Sequence, residues 1–522
     1  MIYHDLTEPQ KFIWLANNMS DKMNPSVTFD VLFDGGLNLP AACGAVDCLY
    51  MHNQILRTEV TDFDGIPKQI FKKYNPDEKH SILKTFSGLS LYKIWAEEYA
   101  LQKMDGVLSE IFIIDIDTKY GFLIKGSHMV LDGLSCVLLM SRLMKYYELL
   151  VSGNSIDDIE YHYLDFIKRE QLYYKDSYGY LQDRGYWQKK ILEIDEPTWL
   201  TTVKTGSILS NRLELPLPSD FENKLKIFCK AYKVSEYAVI LSCFAKCASA
   251  YLKNDNITIL CTVLNRIGVM ENQIPGMFVN LVPVALDCGN KADSQVSAIN
   301  YIKTTQIEFV NAVKHFRYSY NHILNDFYKL RGRRQPSDIL FSYQSFELYD
   351  IQSNLNGTFT PTWYFNGTQT NSLTFHARRD PKSGLKFFFE YLAEIFSEND
   401  VNILGAHVLE MLNSLFANPE ALMSGLSIMG KEEREKILLE FNNTYAAYPT
   451  EKTVIELFEG QAEKAPENIA VILGNQRITY RELNERANSV ARNLIDASLK
   501  PGEFVAICAE RSIEILQSNW VK

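Results

Sequence analysis

Three things are scarce in this 522-residue chain: long apolar runs, an excess of positive charge, and cysteines spaced to hold a metal. No stretch approaches the ~20 consecutive apolar residues of a membrane span, and the opening MIYHDLTEPQ carries charge where a leader peptide would be apolar. The expectation is a cytoplasmic protein with no membrane partner. Against 53 Lys and Arg stand 64 Asp and Glu, a formal net charge of -11. That balance argues against a nucleic-acid partner, because gripping a phosphate backbone needs a concentrated basic face. The densest basic run, Lys329 to Arg334, reads as a solvated loop. The nine cysteines include no C-x-x-C pair, so no metal site is expected, and their scatter fits a reducing compartment. Cys243 and Cys247 are four apart, share one helix face and read as core packing. The G-x-S-x-G elbow of lipase-like serine hydrolases is missing too; Ser127 lies in Gly126-Ser127-His128 instead.

What is present is apolar material for more than one core. At 46% hydrophobic and 12% aromatic, this length predicts two to four folding units. In the first third, Pro25 to Asp34 alternates as a strand does and Leu39 to Met51 reads as a helix. Val107 to Ile116 and Tyr120 to Ser127 are β-rich runs around a turn at Asp117, Thr118 and Lys119, which predicts a hairpin. An apolar helix follows from Ser135 to about Leu150.

From about Gly179 a second αβ region is expected. Ser235 is an N-cap for a helix through Tyr251, Ile257 to Val263 is a strand, and a long helix covers Ser294 to Val313. Strands at Ile339 to Phe346, Ser372 to Arg378 and Leu385 to Tyr391 precede a helix from Asn399 to Phe416. Beyond Pro419 the polar stretch Asn442 to Thr453 reads as a linker. A third unit then starts: a strand at Ile469 to Leu473, a helix from Tyr480 to Leu499 and a strand at Glu503 to Ala509. So short a piece buries little core and is expected to do no chemistry.

Between hairpin and helix, Ser127-His128-Met129-Val130-Leu131-Asp132-Gly133 brings an imidazole, an acid and a glycine together at a strand end. A strand holds the backbone still while the ring reaches a pocket, which is what a general base needs. Taken alone, a histidine beside an apolar helix also fits a satisfied core residue.

The segment resembles the H-H-x-x-x-D-G motif of nonribosomal peptide synthetase condensation domains. Six further segments are similar to that family's motifs in order. They are Thr7 to Leu15, His52 to Thr58 (H-N-Q-I-L-R-T), Tyr163 to Phe166, Gly276 to Asn280 (G-M-F-V-N), Asn321-His322, and Asp338 to Gln344. In the tail, Phe458 to Ala462, Ala465 to Glu467, Ile478 to Leu483 and Glu510 to Ser512 look like the start of an adenylation domain. The glycine-rich phosphate loop and lysine of such enzymes are absent, so no ATP-dependent activation is expected.

The resemblance implies an α/β (α+β sandwich) fold in which two lobes like chloramphenicol acetyltransferase form a V-shaped pseudo-dimer. The lobes would be residues 1–175 and 176–425, followed by a linker at 426–452 and a truncated AMP-binding fragment at 453–522. It further implies amide formation between a donor acyl or peptidyl thioester and an acceptor aminoacyl thioester. Both would be delivered on phosphopantetheine arms of carrier proteins, with no bound cofactor. No carrier-protein serine motif is seen, so both substrates are expected on other polypeptides, the donor a starter fatty acyl group or a peptide from an upstream synthetase chain.

His128 would take a proton from the attacking amine or hydrogen-bond it into line. Asp132 would be structural, paired with Arg266 of the second lobe, and Gly133 would let the arm pass close to the backbone. Arg57 and Asn280 would support the pocket. The sequence departs from the motif at Ser127, where the family has its first histidine; serine still offers one hydrogen bond. That departure leaves open a catalytically silent module that recruits carrier proteins or partner enzymes. An epimerization domain is opposed by Phe278-Val279-Asn280, an element such domains lack.

Overall fold

The computed structural model describes residues 2–520 other than 19, 176, 201–205, 290–295, 346–359, 381–383 and 501. Met1–Lys431 forms one compact unit and Glu432–Lys522 a second.

Within the first unit the alternating run near residue 30 becomes the strand Ser26–Asp34. It pairs antiparallel with Lys119–Ser127, so that Ser26 stands opposite Ser127. Lys119–Ser127 forms the expected hairpin with Ser109–Ile116, and Ser81–Phe86 adds to that strand in parallel. One face of the sheet buries Phe29, Val31, Ile111, Phe122 and Ile124 against the helices Leu39–His52 and Gly133–Val151. The fifth strand, Thr360–Tyr364, comes from far along the chain and pairs with Ser26–Asp34. A strand borrowed over that distance leaves no local periodicity to announce it.

The second sheet has six strands, in the order Asn280–Asp287, Asn256–Val263, Ile339–Gln344, Leu373–Asp380, Gly384–Leu392 and Ser210–Leu215. Side chains alternate along a strand, so Phe341, Phe375, Phe387 and Phe389 enter the core under the helices. These helices are Phe221–Tyr232, Glu236–Leu252, Ala298–Lys314 and Glu398–Ala417. Ser342, His376, Phe388, Glu390 and Arg212 share the other face by register. Ser235 is the expected N-cap, accepting from Ala238 N at 3.2 Å. Cys243 and Cys247 are buried core, as expected. The third helix begins at Ala298 behind the cap Ser297; the predicted start at Ser294, like Phe346 at the end of its predicted strand, lies outside the described residues.

The second unit carries the hairpin Ile469–Leu473 with Gln476–Thr479 and the helices Val454–Lys464, Tyr480–Asp496 and Ile513–Asn519. Its core is small: Phe458, Ile478, Leu483 and Ile513. The expected strand at Glu503 to Ala509 is not formed. Among the described residues this apolar run pairs with no strand, and Phe504 is fully exposed; an unpaired strand leaves its backbone unsatisfied.

Candidate active site

The strand Lys119–Ser127 ends with both backbone groups around the imidazole pinned. Ser127 N–H donates to Leu108 O at 2.9 Å and His128 N–H to Pro25 O at 2.7 Å. The chain then turns, and Val130 and Leu131 N–H both donate to Ser127 O, at 2.9 and 3.0 Å. Gly126 permits this return, since a Cβ there would lie 2.4 Å from Leu131 Cδ1. Gln10, in the opening motif, is fully buried and donates from Nε2 to Met129 O at 2.9 Å. Thr7 and Gln10 close a capping box on the helix Glu8–Asn17, so that helix anchors the turn.

His128 Nδ1 lies 2.9 Å from Leu131 O. A carbonyl oxygen only accepts, so Nδ1 carries the proton and Nε2 of the neutral ring keeps its lone pair. Burial lowers the His128 pKa; the Leu131 carbonyl and the charges of Asp132 and Glu390 offset this only in part. At pH 7 the ring is therefore neutral, the state in which a general base works.

Asp132 does not touch the ring. Its Oδ1 accepts from Ser135 N at 2.8 Å and Ser135 Oγ at 2.6 Å, capping the helix Gly133–Val151, and its Oδ2 accepts from Phe278 N at 3.2 Å. Arg266 Nη2 donates to the two carboxylate oxygens at 3.1 and 3.0 Å, while its Nη1 reaches Glu271 O and Ile274 O at 2.7 and 2.5 Å. The guanidinium also lies 3.8 Å over the Phe278 ring. Asn265 aims it by adopting a left-handed φ of 48°, which asparagine tolerates. Gly133 is the first residue of the helix.

The segment after Arg266 docks on the first lobe. Asp132 N–H donates to Gly276 O at 3.2 Å, and Tyr163 Oη donates to Met277 O at 2.5 Å. Gly276 has to be glycine, for a Cβ there would lie 2.2 Å from Tyr163 Cδ2. Two motif residues lie apart from this contact. Arg57 spends its guanidinium on Tyr50 O, Met51 O, Lys72 O and Glu160. It ties the end of the helix Leu39–His52 to Glu160 and to the residue after the strand Ile66–Phe71, and none of these partners belongs to the His128 turn. Asn280 donates to Phe316 O at 2.7 Å and accepts from Tyr320 N at 3.0 Å, tying its strand to the helix Tyr320–Arg331. Ser127 Oγ accepts from Met129 N at 3.1 Å. Beside Ser127 opens a cavity of about 400 Å3, lined by Asn24, Ser26, Thr58, Val107 and Met129 among others.

Sequence reasoning missed Glu390, whose charge reaches His128. Arg212 pairs with it, donating from Nε at 3.0 Å and Nη2 at 2.5 Å, and His376 Nε2 stands 3.4 Å away. Burial would raise the Glu390 pKa, but His376 and Arg212 outweigh it and hold the carboxyl well below the usual range. The signal available was one acid after Phe387-Phe388-Phe389, where strand alternation places it off the core.

Comparison with known proteins shows the family to which the chain belongs. Residues 3–438 match the condensation domain model and residues 458–518 that of AMP-binding enzymes. The chain belongs to the condensation-domain family of nonribosomal peptide synthetases and runs on into the start of an AMP-binding domain. Bacitracin synthase 2 of Bacillus licheniformis is 25% identical over 98% of this chain and 20% of its own length. Tyrocidine synthase 2 of Brevibacillus parabrevis is 26% identical over 76% of this chain and 11% of its own length. The chain thus spans a fifth or less of these relatives. The first condensation domain of the calcium-dependent antibiotic synthetase, in complex with a substrate analogue, superposes with a TM-score of 0.71 at 19% identity, over 82% of this chain and 99% of that one. The X-domain from teicoplanin biosynthesis, in complex with OxyB, gives 0.66 at 15% identity, over 82% and 96%. The fold is therefore that of condensation domains, which is like that of chloramphenicol acetyltransferase, as the motifs implied. No helix among the described residues is long and apolar enough to cross a membrane.

Proposed function

We propose that this chain joins an acyl or peptidyl thioester donor to an aminoacyl acceptor through an amide bond. In this reading residues 1–175 and 176–425 are the two lobes, 426–452 a linker, and 453–522 a non-catalytic start of the next domain. The donor and acceptor arrive on the phosphopantetheine arms of carrier proteins from neighbouring modules, in the cytoplasm. The amine nitrogen bonds to the thioester carbon and the C–S bond breaks. The amine proton passes to His128 Nε2 and from there to the departing thiolate, leaving an amide and a free thiol.

One observation carries the reading: a neutral His128 whose Nδ1–H is spent on Leu131 O, with Nε2 left to accept. A placed base contributes about 10² to 10⁴ in rate, and alignment of the two reactants supplies several kcal/mol more. Asp132, Arg266 and Gly133 keep the turn in place and are positioning residues, as is Ser127.

The test loads one carrier with an acyl thioester and another with an aminoacyl thioester, and follows carrier-bound product by mass spectrometry. The intact chain should form amide and His128→Ala should lose roughly two to four orders of magnitude. Equal product from both would sink the assignment of His128. A second reading, a silent recruitment module, draws on Ser127 and on the relative of this fold found in complex with OxyB. It predicts no amide over a wide donor panel, alongside measurable carrier or partner binding. Scoring the same product for inversion at the α-carbon tests epimerization.

A further inference from the structure

The strand Thr58–Phe63 is the outer member of a three-stranded sheet: it pairs with Ile66–Phe71, which pairs on its other side with His4–Asp5. In an antiparallel pair, backbone groups point alternately toward the partner and away from it. The two-residue turn Asp64-Gly65, with φ of 50° and 83°, makes Phe63 and Ile66 a hydrogen-bonded pair. Lys72 N–H donates to Arg57 O at 2.9 Å, which sets the same phase at the other end. Arg57, Glu59, Thr61 and Phe63 therefore face the partner strand, and Thr58, Val60 and Asp62 face out. Pro67, which has no N–H to give, stands opposite Asp62, and Gln69, opposite Val60, has His4 on its other side. Thr58 N–H donates to Ile55 O. Among the described residues, Val60 N–H and C=O have no partner.

This free edge borders the cavity of about 400 Å3 beside Ser127, and Thr58, Glu59, Val60 and Thr61 all line it. Successive side chains of a strand point to opposite faces, so four in a row meet one cavity along the edge. The facing wall is Lys103 to Leu108. The lining also takes in Pro25, which accepts from His128 N–H, and Ser127 and Met129 on either side of that histidine. A second cavity of about 360 Å3 shares Thr58, Glu59 and Gly106 to Leu108 with the first, so a slot longer than either runs between the two segments. Asn17, Asn24, Ser26, Thr61 and Lys103 make the lining polar. An alkyl chain laid there would cover polar groups without bonding them, whereas an amide backbone answers an outward N–H and C=O in kind.

We propose that this slot binds the donor as an extended peptide, added to the free edge of Thr58–Phe63 as a fourth strand and paired through Val60. The inference rests on the amide-forming reading and decides between its two donors: a peptidyl chain, not a fatty acyl starter. A peptide N–H donates to Val60 O and a peptide carbonyl accepts from Val60 N–H. Pairing of this kind holds the backbone whatever the side chains, which suits a donor recognised as a growing chain. Thr58 to Thr61 runs about 10 Å, enough edge for three or so residues of added strand.

The test is a binding measurement on the full chain that needs no turnover. The probes are the N-(2-acetamidoethyl) amide of acetyl-trialanine, the same peptide N-methylated at all three alanines, and the N-(2-acetamidoethyl) amide of octanoic acid. Titration calorimetry should show the unmethylated peptide bound about 10-fold or more tighter than its N-methylated form, the effect of losing two neutral hydrogen bonds, and tighter than the octanoyl probe. Val60→Pro removes the outward N–H and leaves the pairing with Ile66–Phe71 intact; it should weaken the unmethylated peptide about 5-fold. Hydrogen–deuterium exchange needs no variant: saturating unmethylated peptide should slow exchange across residues 58–63 of the native chain. Equal affinity of the two peptides, tighter binding of the octanoyl probe, no peptide binding at millimolar concentration, or unchanged exchange at residues 58–63 overturns the proposal. Edge pairing in a chain that makes no amide would leave the slot standing and remove the catalytic reading; amide formation without edge pairing would do the reverse.

Discussion

Arg266 and Asp132 form an ion pair 3.0 Å long between the two lobes, with their side chains 0% and 1% exposed. Each charge depends on the other, because a buried carboxylate or guanidinium left alone has lost its water without compensation. Asp132→Ala or Arg266→Ala should therefore cost roughly 3 to 5 kcal/mol. The double variant should cost clearly less than the sum, since both changes remove one interaction. Urea unfolding of the four proteins measures this. Additive losses would mean that the pair is not energetically coupled.

His128 should show its lowered pKa in two ways. By nuclear magnetic resonance its ring should titrate below the ordinary 6.5, because burial opposes the charged form. Between the folded and unfolded pKa values the unfolded chain binds more protons, so stability rises with pH there and is lost as the solution is acidified from about 6.5. His128→Gln should flatten that part of the stability curve. A ring titrating at or above 6.5 would mean that the Leu131 carbonyl and the charges of Asp132 and Glu390 outweigh the desolvation of this half-buried ring.

Much of the fold was legible because its signals are local. The run Ser26 to Asp34 alternates, Ser235 caps its helix, and Ser127 to Gly133 falls at a strand end, so the motif appears where a base is useful. Arg266 was legible only through the family pattern. Glu390 and Arg212 lie 178 residues apart and meet through strand pairing that no local periodicity reports. The borrowed strand Thr360–Tyr364 was hidden for the same reason. The failure at Glu503 to Ala509 runs the other way, for a β-prone apolar run becomes a strand only where a partner edge exists.

Gly276 should resist replacement even by alanine. The Cβ would sit 2.2 and 2.3 Å from Tyr163 Cδ2 and Cε2, and that ring is fully buried and holds Met277 O through its hydroxyl. Overpacking of this kind costs about 1 to 3 kcal/mol. Gly276→Ala should lower the melting temperature, and Gly276→Ala with Tyr163→Phe should not recover it, since phenylalanine keeps the clashing ring atoms. Gly276→Ala with the native melting temperature would show that the lobe contact can open at no cost.

Glu170 supplies a pH effect of opposite sign. Burial pushes its carboxyl up to about 8, and the neighbouring charge of Glu8 adds to this, against the hydrogen bond it accepts from Glu8 N–H at 3.0 Å. Lys11 and Arg169 act to lower it, but without reversing the shift. From pH 4.5 to about 8 the unfolded chain has released this proton while the folded chain retains it. Stability contributed by this group therefore falls as pH rises, by up to about 1.4 kcal/mol per pH unit. Glu170→Gln keeps the acceptor for Glu8 N–H and cannot ionise, so it should remove the slope. Unfolding free energies of the two proteins from pH 5 to 8.5 should diverge, the variant gaining on the native chain toward the alkaline end. Parallel curves would mean that Glu170 is already ionised in the folded protein and that the ions around it outweigh its burial.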